Sequence, residues 1–600
     1  MNASPLIDRR NLDFMLYELL GVDRLTRYPR FADHGRETFD AAIELAHQIA
    51  VAKFYPHNRK GDLNEPKMVD GKVELIPEIA EAMDAFNEAG FAALLADASD
   101  GGMQLPFVIA STCDCMFSAA NPGTVAYPAL ARAAANLLAV YGTEEQQRLY
   151  MKPIHEGRYY GTMCLSEPQA GSSLADITTQ AAPQADGSYR LTGAKMWISA
   201  GDHELGDNIV HLVLARIAGA PAGVKGISLF IVPRWRVNAD GTRAARNDVK
   251  LAGVNHKMGQ RGSVNTFLKF GEAGDCHGYL VGEANQGLAY MFHMMNEERI
   301  GVGMGAILQG QVGYLHSLQY ARERRQGRHA DQKDPSSAPI ALIEHADVRR
   351  MLLSQKSWVE GALALGFYAS QLVDFAHDED PAVRRDSALL LEVLTPIVKA
   401  WGSEYSLKAN DLAIQILGGY GYTREYPVEQ CYRDNRINPI HEGTNGIQAL
   451  DLLGRKAMMQ NGGALRLLLQ RIAAGCQDAS ALPELQPLAL QLLAGVKLAE
   501  EATQAVAKRL LSGEVRLALA NAQHYMTLLG HLSIGWMWLQ SAVIAQRALP
   551  SANSVDTDFY RGKLQACRFF FASELPQIEL AAKLVREAED SAYAMDEAWF

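Results

Sequence analysis

The spacing of apolar residues changes twice along this chain, and these changes limit the folds open to it. Residues 11–160 place apolar side chains at helical spacing, and so does the chain from about residue 287 to its end. Between them lie short runs rich in β-branched and aromatic residues, at 208–215, 226–233 and 266–270. Because no helix separates these runs, they predict an antiparallel sheet or barrel and argue against a parallel nucleotide-binding sheet.

The predicted architecture is mostly α with a middle antiparallel β domain. It has an N-terminal helical domain over residues 1–160, a β domain over 161–285, a helical bundle over 286–470 and a C-terminal helical extension over 471–600. A length of 600 residues agrees with several domains. One helix start is also specific, since Thr143 and Gln146 have the spacing of a capping box.

Composition excludes some classes of function. The net charge of −11 argues against general nucleic-acid binding, which needs basic patches. The 7 cysteines show neither a disulfide framework nor a metal-ligand spacing, so we predict reduced thiols, no metal site and a cytoplasmic protein. Charges within residues 1–13 interrupt the apolar run that a signal sequence requires. The apolar stretch at 531–540 is too short to span a membrane and predicts a buried helix.

One carboxylate lies in a stretch that reads IHEGTNG over residues 440–446. Pro439 and the glycines disfavour a regular helix through Glu442, which is therefore predicted to lie on a loop before a helix that begins near Asn445. Free N–H groups and the positive dipole end at a helix start suit a carboxylate or a phosphate. The local pattern leaves two hypotheses open: Glu442 is a helix cap, or it is a functional carboxylate.

Two glycine-rich patterns have the wrong context for a dinucleotide-binding motif. Residues 301–305 (GVGMG) continue a predicted helix, and residues 418–421 (GGYG) follow the predicted helix 407–417. The dinucleotide fingerprint needs a strand before the glycines and a helix after them. We therefore predict no nicotinamide site.

Three further segments carry polar residues in or beside the β domain. They read CLSEPQAGSS over residues 164–173, KMWISAG over 195–201 and KMGQRGS over 257–263. Each has a plain structural interpretation, as a surface turn, a buried core Trp and a solvated turn. The alternative is a site for a planar ring, on which Trp197 stacks and to which Ser199 hydrogen-bonds.

Taken in order, these motifs resemble those of the acyl-CoA dehydrogenase family. The matching segments are residues 166–172, 195–201, 257–263, 415–422 and 442–444. The resemblance covers residues 141–456 and implies the family's fold, a helical domain followed by a β-barrel domain and a helical bundle. With 600 residues, the chain is similar to the long branch of the family, which includes 3-methylmercaptopropionyl-CoA dehydrogenases and bacterial fatty acyl-CoA dehydrogenases.

The resemblance implies an enzyme that uses FAD to convert an acyl-CoA thioester to a trans-2-enoyl-CoA. It assigns Glu442 as the base that removes the α proton while FAD accepts a hydride from the β carbon. It also implies electron-transfer flavoprotein as the electron acceptor, fatty acid β-oxidation as the process and a homo-oligomer, most simply a dimer.

Three alternatives share the fold. They are a 3-methylmercaptopropionyl-CoA dehydrogenase, an oxygen-using acyl-CoA oxidase or monooxygenase, and a non-enzymatic acyl-CoA-binding protein. The presence of Glu442 and of the flavin motifs argues against the last of these. The length of the acyl chain stays open, because it depends on helix packing.

Further site residues follow from the resemblance alone. Positions that match cofactor contacts are Leu165, Ser166, Gly171, Ser172, Trp197, Ser199 and Thr444, while Arg324, Gln415 and Gly419 match groups that reach the FAD of a neighbouring subunit. Positions that match the substrate site are Ser172, Glu298 and Arg299.

Several positions depart from the family pattern. Glu298 stands where some relatives keep their base, although those relatives usually lack the glutamate that matches Glu442. Two carboxylates near one site could also raise each other's pKa. His441 replaces a common Tyr, Gly446 replaces a Gln, and the Phe expected in the arginine-bearing helix is missing beside Gln326.

Overall fold

The structure, a computed structural model, describes residues 6–600 and the side chains of all of these except 292–295. It forms two compact units. The middle unit is Arg36–Glu298, and the helical unit combines Arg299–Phe600 with the chain up to Gly35. The division falls inside one long helix, Gly287–Glu323.

The β-rich part of the chain forms one eight-stranded sheet and two small hairpins. The strands are β1 (Lys67–Val69), β2 (Lys72–Glu74), β3 (Tyr159–Cys164), β4 (Gln180–Pro183), β5 (Tyr189–Ser199), β6 (Asn208–Ile217), β7 (Ile227–Pro233), β8 (Trp235–Val237), β9 (Arg243–Arg246), β10 (Val249–Val254), β11 (Asn265–Phe270) and β12 (His277–Leu280). The three β-rich runs of the sequence are confirmed as β6, β7 and β11.

The sheet order is β10-β11-β5-β12-β7-β6-β3, and β4 pairs with both β5 and β6. The strands β5, β12, β7, β6 and β4 therefore close into a ring, as in a barrel. The pairs are antiparallel except for β3–β6 and β4–β6, which are parallel. The middle antiparallel domain is thus confirmed with two parallel exceptions.

The remainder of the chain is largely helical, as the periodicity predicts. The helices are α1 (Arg9–Asp13), α2 (Arg36–Ile49), α3 (Tyr55–Leu63), α4 (Pro77–Glu88), α5 (Phe107–Ala120), α6 (Pro122–Tyr141), α7 (Glu144–Gln146), α8 (Lys152–His155), α9 (Gly287–Glu323), α10 (Ala346–Asp374), α11 (Pro381–Leu417), α12 (Val428–Asn435), α13 (Asn445–Asp451), α14 (Met459–Ser480), α15 (Gln486–Leu511), α16 (Val515–Leu519), α17 (Ala522–Ala548), α18 (Ser554–Phe569) and α19 (Gln577–Glu587). The capping box predicted at Thr143 is present, since its hydroxyl accepts from the Gln146 N–H and the Gln146 side chain accepts from the Thr143 N–H.

The helical unit is built around α10, α11 and α17. The long pair α10 and α11 packs side by side, and α17 lies against α10, α11, α14, α18 and α19. By length and composition, one described segment, Val515–Ser551, is apolar enough to cross a membrane, but 89% of its most apolar window is buried inside the protein. The prediction of a buried helix at residues 531–540 is confirmed.

Candidate active site

Glu442 lies on a loop, and we call residues 439–446, which are this loop and the first two residues of α13, the base loop. The loop leads into α13, and the Thr444 hydroxyl caps this helix by accepting a hydrogen bond from the Ile447 N–H at 3.2 Å. The hypothesis that Glu442 is the helix cap is therefore wrong, while the predicted helix start at Asn445 is confirmed. The Glu442 side chain is left for another role.

The backbone of the base loop has an unusual conformation at Glu442. Its φ of 51° lies in the left-handed region, where the backbone of a residue other than glycine is strained. Gly443 follows with a φ of 82°, and a Cβ there would lie 2.5 Å from the Gln448 side-chain nitrogen. The Gln448 side-chain amide also donates to the Glu442 carbonyl at 3.0 Å, and this hydrogen bond stabilises the turn at Glu442.

The Glu442 carboxylate is accessible to solvent but is surrounded by protein. Desolvation raises its pKa above the ordinary value, and the nearby cations Arg299 and Lys399 act against this rise. Desolvation, and not a second carboxylate, is therefore the cause of the raised pKa. Such a carboxylate is a stronger base than one in free solvent.

A buried lysine on α11, Lys399, forms hydrogen bonds to the base loop. The Lys399 ammonium donates to the Gly443 carbonyl at 2.7 Å and to the Asn445 side-chain oxygen at 3.2 Å. Ser403 donates to the same Asn445 oxygen at 3.1 Å, and the Asn445 amide donates back to the Ala400 carbonyl at 3.2 Å. The loop is thus anchored to α11 by four hydrogen bonds. Desolvation lowers the pKa of Lys399 to about 8.

A ladder of amide side chains ends at His441. Asn410 donates to the Gln309 carbonyl at 2.8 Å, Asn435 donates to Asn410 at 2.7 Å, and Asn438 donates to Asn435 at 2.9 Å. The side-chain oxygen of Asn438 can only accept a hydrogen bond, so the Nε2–H of His441 donates to this oxygen at 3.0 Å. His441, which stands in place of the family's Tyr, is therefore held as one neutral tautomer.

Burial keeps His441 neutral. Desolvation, together with the charge of Lys399, lowers the pKa of His441 to about 4. The residue is thus uncharged throughout the physiological range. It fixes the base loop beside Glu442 and adds no charge to it.

Arg299 lies on α9 and is buried. Its guanidinium approaches the Asp451 carboxylate at 3.5 Å, and its Nε has no hydrogen-bond partner among the described residues. Its charge acts on Glu442, which places this predicted substrate residue beside the base loop. Glu298, the rival carboxylate, is half-buried and is the last residue of the middle unit.

In the middle unit, Lys195 and Glu167 of two motif segments form a buried ion pair. The Lys195 ammonium lies 2.9 Å from the Glu167 carboxylate and donates to the Leu165 carbonyl at the same distance. Thr178 and Thr179 each donate to Glu167 through both hydroxyl and backbone N–H. Desolvation acts to raise the pKa of Glu167, but Lys195 and these hydrogen bonds outweigh it and lower the pKa to about 2. This ion pair connects segment 164–173 to segment 195–201, and its two charges neutralise each other.

Trp197, two residues after Lys195, is exposed, whereas Lys195 is fully buried. Its φ is 65°, its residue is 61% exposed, and the pairing of β5 with β11 shifts register at this point. A β-bulge of this kind re-aims a side chain out of the sheet. The interpretation of Trp197 as a buried core residue is therefore wrong, and its ring is available to a ligand.

The other predicted contacts of the middle unit lie around the same strand. The Met196 N–H donates to the Ser166 carbonyl at 3.0 Å, which ties the serine-rich loop to β5. Ser199 accepts a hydrogen bond from Asn265 at 3.2 Å. Leu165, Ser166 and Ser199 are half-buried, whereas Gly171 and Ser172 are exposed.

A cleft of 530 Å³ brings together the three residues predicted to reach a neighbour's cofactor. Its lining is Tyr320, Arg324, Gln326, Leu342, Gln415, Ile416, Leu417, Gly418, Gly419, Tyr420 and Thr423. The Arg324 guanidinium is exposed and lies 5.9 Å from the centre of the Tyr420 ring. A Cβ added to Gly418 or Gly419 would meet no atom within 4 Å, so both glycines leave open space at the cleft wall.

The residues that flank the polar segment 327–339 form one edge of this cleft. Gln326 donates through its N–H to the Ile340 carbonyl at 2.9 Å, and Leu342 donates to the Arg324 carbonyl at 2.8 Å. These bonds close a hairpin that places Gln326 and Leu342 in the lining. Gln326, beside which the sequence lacks the family's Phe, is thus part of the cleft lining.

Sequence reasoning missed Lys399, Asn435, Asn438 and Asn445. The Asn435, Asn438 and His441 spacing of three residues was a usable signal, because such residues share one face of a tight turn. No local signal marks Lys399, which lies far before the base loop in sequence and meets it only through packing.

Three family models match this chain. The model "Acyl-CoA dehydrogenase, middle domain" matches residues 162–270, "Acyl-CoA dehydrogenase, C-terminal domain" matches 285–458, and "Acetyl-CoA dehydrogenase C-terminal like" matches 468–596. Together they cover more than half of its length.

The chain is also similar to characterised proteins over its full length. It is 33% identical to the 3-methylmercaptopropionyl-CoA dehydrogenase of Ruegeria pomeroyi, over 96% of this chain and 97% of the relative. It is 33% identical to a butyryl-CoA dehydrogenase of Syntrophomonas wolfei, over 99% of both chains. The crystal structure of an acyl-CoA dehydrogenase from Bacillus anthracis, complexed with FAD, shares the fold with a TM-score of 0.73 at 20% identity, over 94% of this chain and 90% of that one.

Proposed function

This chain belongs to the acyl-CoA dehydrogenase family of FAD-dependent oxidoreductases, and we propose that it desaturates the Cα–Cβ bond of an acyl-CoA thioester with Glu442 as the base. The observation that carries this assignment is the state of Glu442. It is exposed on a loop with a strained backbone, its pKa is raised by desolvation, and it lies near two cations that favour its ionised form.

Glu442 would take the α proton of the substrate onto a carboxylate oxygen. The hydrogen bonds from α11 fix the backbone that carries this carboxylate, which favours an oriented proton transfer. FAD, when bound, supplies the acceptor for the hydride that leaves the β carbon. Arg299 is suited to balance the negative charge around the base loop during the transfer.

The residues present fit FAD. In the middle unit, the exposed Trp197 ring and the hydroxyls of Ser166 and Ser199 suit a flat, polar-edged ring system. In the helical unit, the Arg324 cleft offers a guanidinium for phosphate oxygens and glycines that a ligand can approach closely.

The proposed assembly is a homo-oligomer, most simply a dimer. It is supported by the match of Arg324, Gln415 and Gly419 to groups that, in the family, reach the FAD of a neighbouring subunit. The cytoplasm is the proposed location on the sequence features given above.

Two substrate classes are supported by relatives of equal identity. The butyryl-CoA dehydrogenase favours a linear acyl-CoA and a place in fatty acid β-oxidation, whereas the 3-methylmercaptopropionyl-CoA dehydrogenase favours a thioether-bearing acyl chain. We propose the linear substrate first, with electron-transfer flavoprotein as the electron acceptor. An oxidase would differ by fast reoxidation of the reduced flavin in air.

The deciding experiment is anaerobic bleaching of the yellow FAD-loaded enzyme by a panel of linear and thioether acyl-CoAs. Glu442→Gln should retain FAD and lose about 10²–10⁴-fold in bleaching rate, which is the usual contribution of a general base. Glu298→Gln is the partner test: because Glu298 is not the proposed base, this variant should lose far less of the bleaching rate than Glu442→Gln. Full bleaching by Glu442→Gln, with loss in Glu298→Gln, would move the base to Glu298.

A further inference from the structure

Lys399 is a buried cation without a counter-charge in contact. Its residue is 0% exposed, and its ammonium donates only to the neutral oxygens of Gly443 and Asn445. Among the residues whose side chains the structure describes, none forms an ion pair with it. A buried ammonium of this kind does not stabilise a fold by itself, because desolvation is not repaid by a paired charge.

Three titratable groups of the described residues interact electrostatically with Lys399. They are Glu442 and His441 on the base loop and Arg299 on α9. His441 is neutral and Arg299 has the same sign as Lys399, so Glu442 is the one negative charge among them. The ammonium therefore acts on the carboxylate to which the proposed function assigns the proton transfer.

We propose that Lys399 is a positioning residue for this reaction: it anchors the base loop through Gly443 and Asn445, and its charge beside this loop favours the ionised form of the Glu442 carboxylate. This inference rests on the proposed function. It explains how one residue serves both requirements of a base, since the same ammonium anchors the segment directly after Glu442, through the Gly443 carbonyl and the Asn445 side chain, and supplies the opposing charge.

The charge component has a defined sign. Without a nearby cation, a desolvated carboxylate holds its proton to higher pH, so removing the Lys399 charge should raise the pH at which Glu442 ionises. A purely structural lysine would lower the bleaching rate equally at every pH. The pH profile therefore separates the two roles.

The test uses the FAD-loaded enzyme and two readouts. The first is the infrared carbonyl stretch of protonated Glu442, identified by its absence in Glu442→Gln and followed against pH. The second is the pH dependence of anaerobic bleaching. In Lys399→Met, both midpoints should move up by about one pH unit, which corresponds to about a tenfold slower rate below the midpoint.

Three further variants serve as controls for this result. Lys399→Arg keeps the charge and should return both midpoints towards the wild-type values, even where the rate stays lower. Lys399→Gln keeps a hydrogen-bond donor without charge and should show the same shift as Lys399→Met, which covers the case that Lys399→Met does not fold. Lys408→Met, on the exposed side of the same helix and paired with Glu404, should shift neither midpoint.

The outcomes separate this inference from the proposed function. Unchanged midpoints in Lys399→Met or Lys399→Gln would overturn the charge role, although Glu442 still acts as the base. Full bleaching in Glu442→Gln would overturn the proposed function, and the infrared midpoint would still report whether Lys399 controls the ionisation of Glu442.

Discussion

Two lysines are fully buried beside motif loops of this enzyme, and they have different partners. In the middle unit, Lys195 lies 2.9 Å from the Glu167 carboxylate. In the helical unit, Lys399 donates to a backbone carbonyl and an amide oxygen and has no ion-pair partner among the described residues. Both lysines hold a loop in place, but only one of them is neutralised.

This difference distinguishes charged motif residues that stabilise the fold, which we call the scaffold, from those that serve the reaction, which we call the site. The Lys195–Glu167 pair satisfies its own charges and leaves the exposed Trp197 free for a ligand. Lys399 leaves its charge directed at Glu442, where it can influence chemistry. A buried charge that is fully paired belongs to the fold, whereas one that is left unpaired beside a loop is a candidate for function.

The largest expected effect is on stability in the middle unit. Lys195→Met leaves the Glu167 carboxylate buried without its cation, which should lower the free energy of unfolding by about 3–5 kcal/mol. Urea unfolding followed by circular dichroism measures the change. Lys269→Met, which breaks the exposed pair with Glu272 in the same domain, should cost less than about 1 kcal/mol. Equal losses in the two variants would mean that Lys195 does not hold the motifs together.

Lys399 should behave differently, and its effect should depend on pH. Its pKa is about 8 in the fold against 10.5 for an ordinary lysine, so the unfolded chain binds more protons between these values. The destabilising contribution of the buried ammonium is fully present below pH 8 and disappears as the pH rises to 10.5. Relative to Lys399→Met, the wild-type enzyme should gain up to about 3 kcal/mol of stability over that window.

Unfolding curves of the two proteins at pH 7.5, 9 and 10 measure this difference, and their subtraction removes the titration of all other groups. Near neutral pH, the lost hydrogen bonds, worth about 1 kcal/mol each, and the relief of desolvation oppose each other. We expect a net change of under about 2 kcal/mol there. A pH-independent difference between the proteins would show that Lys399 is not a desolvated cation.

The sequence was sufficient for features that depend on neighbours along the chain. The capping box at Thr143, the loop at Glu442 and the helix that starts at Asn445 follow from local backbone preferences. It was insufficient where contacts join distant segments. Lys399 reaches the base loop through packing, and the bulge that exposes Trp197 depends on the register of β5 against β11.

The smallest expected effect on stability is at Trp197. It tests whether a motif residue with an exposed side chain serves ligand binding and not the stability of the fold. Its exposed ring adds little to the core, and its φ of 65° is one that glycine adopts without strain. Trp197→Gly should therefore leave the free energy of unfolding unchanged or raise it by up to about 1 kcal/mol.

The same substitution should weaken FAD binding about tenfold, because an aromatic contact is worth about 0.5–1.5 kcal/mol beyond its buried area. Titration of the apoenzyme with FAD, followed by flavin fluorescence, measures this loss. Trp235→Gly is the control in the same unit, since its half-buried ring packs against Arg243 and Arg246. That variant should lose stability and keep its FAD affinity. If Trp197→Gly instead lost stability and kept FAD, Trp197 would join Lys195 in the scaffold, and the ring site of the middle unit would lie elsewhere.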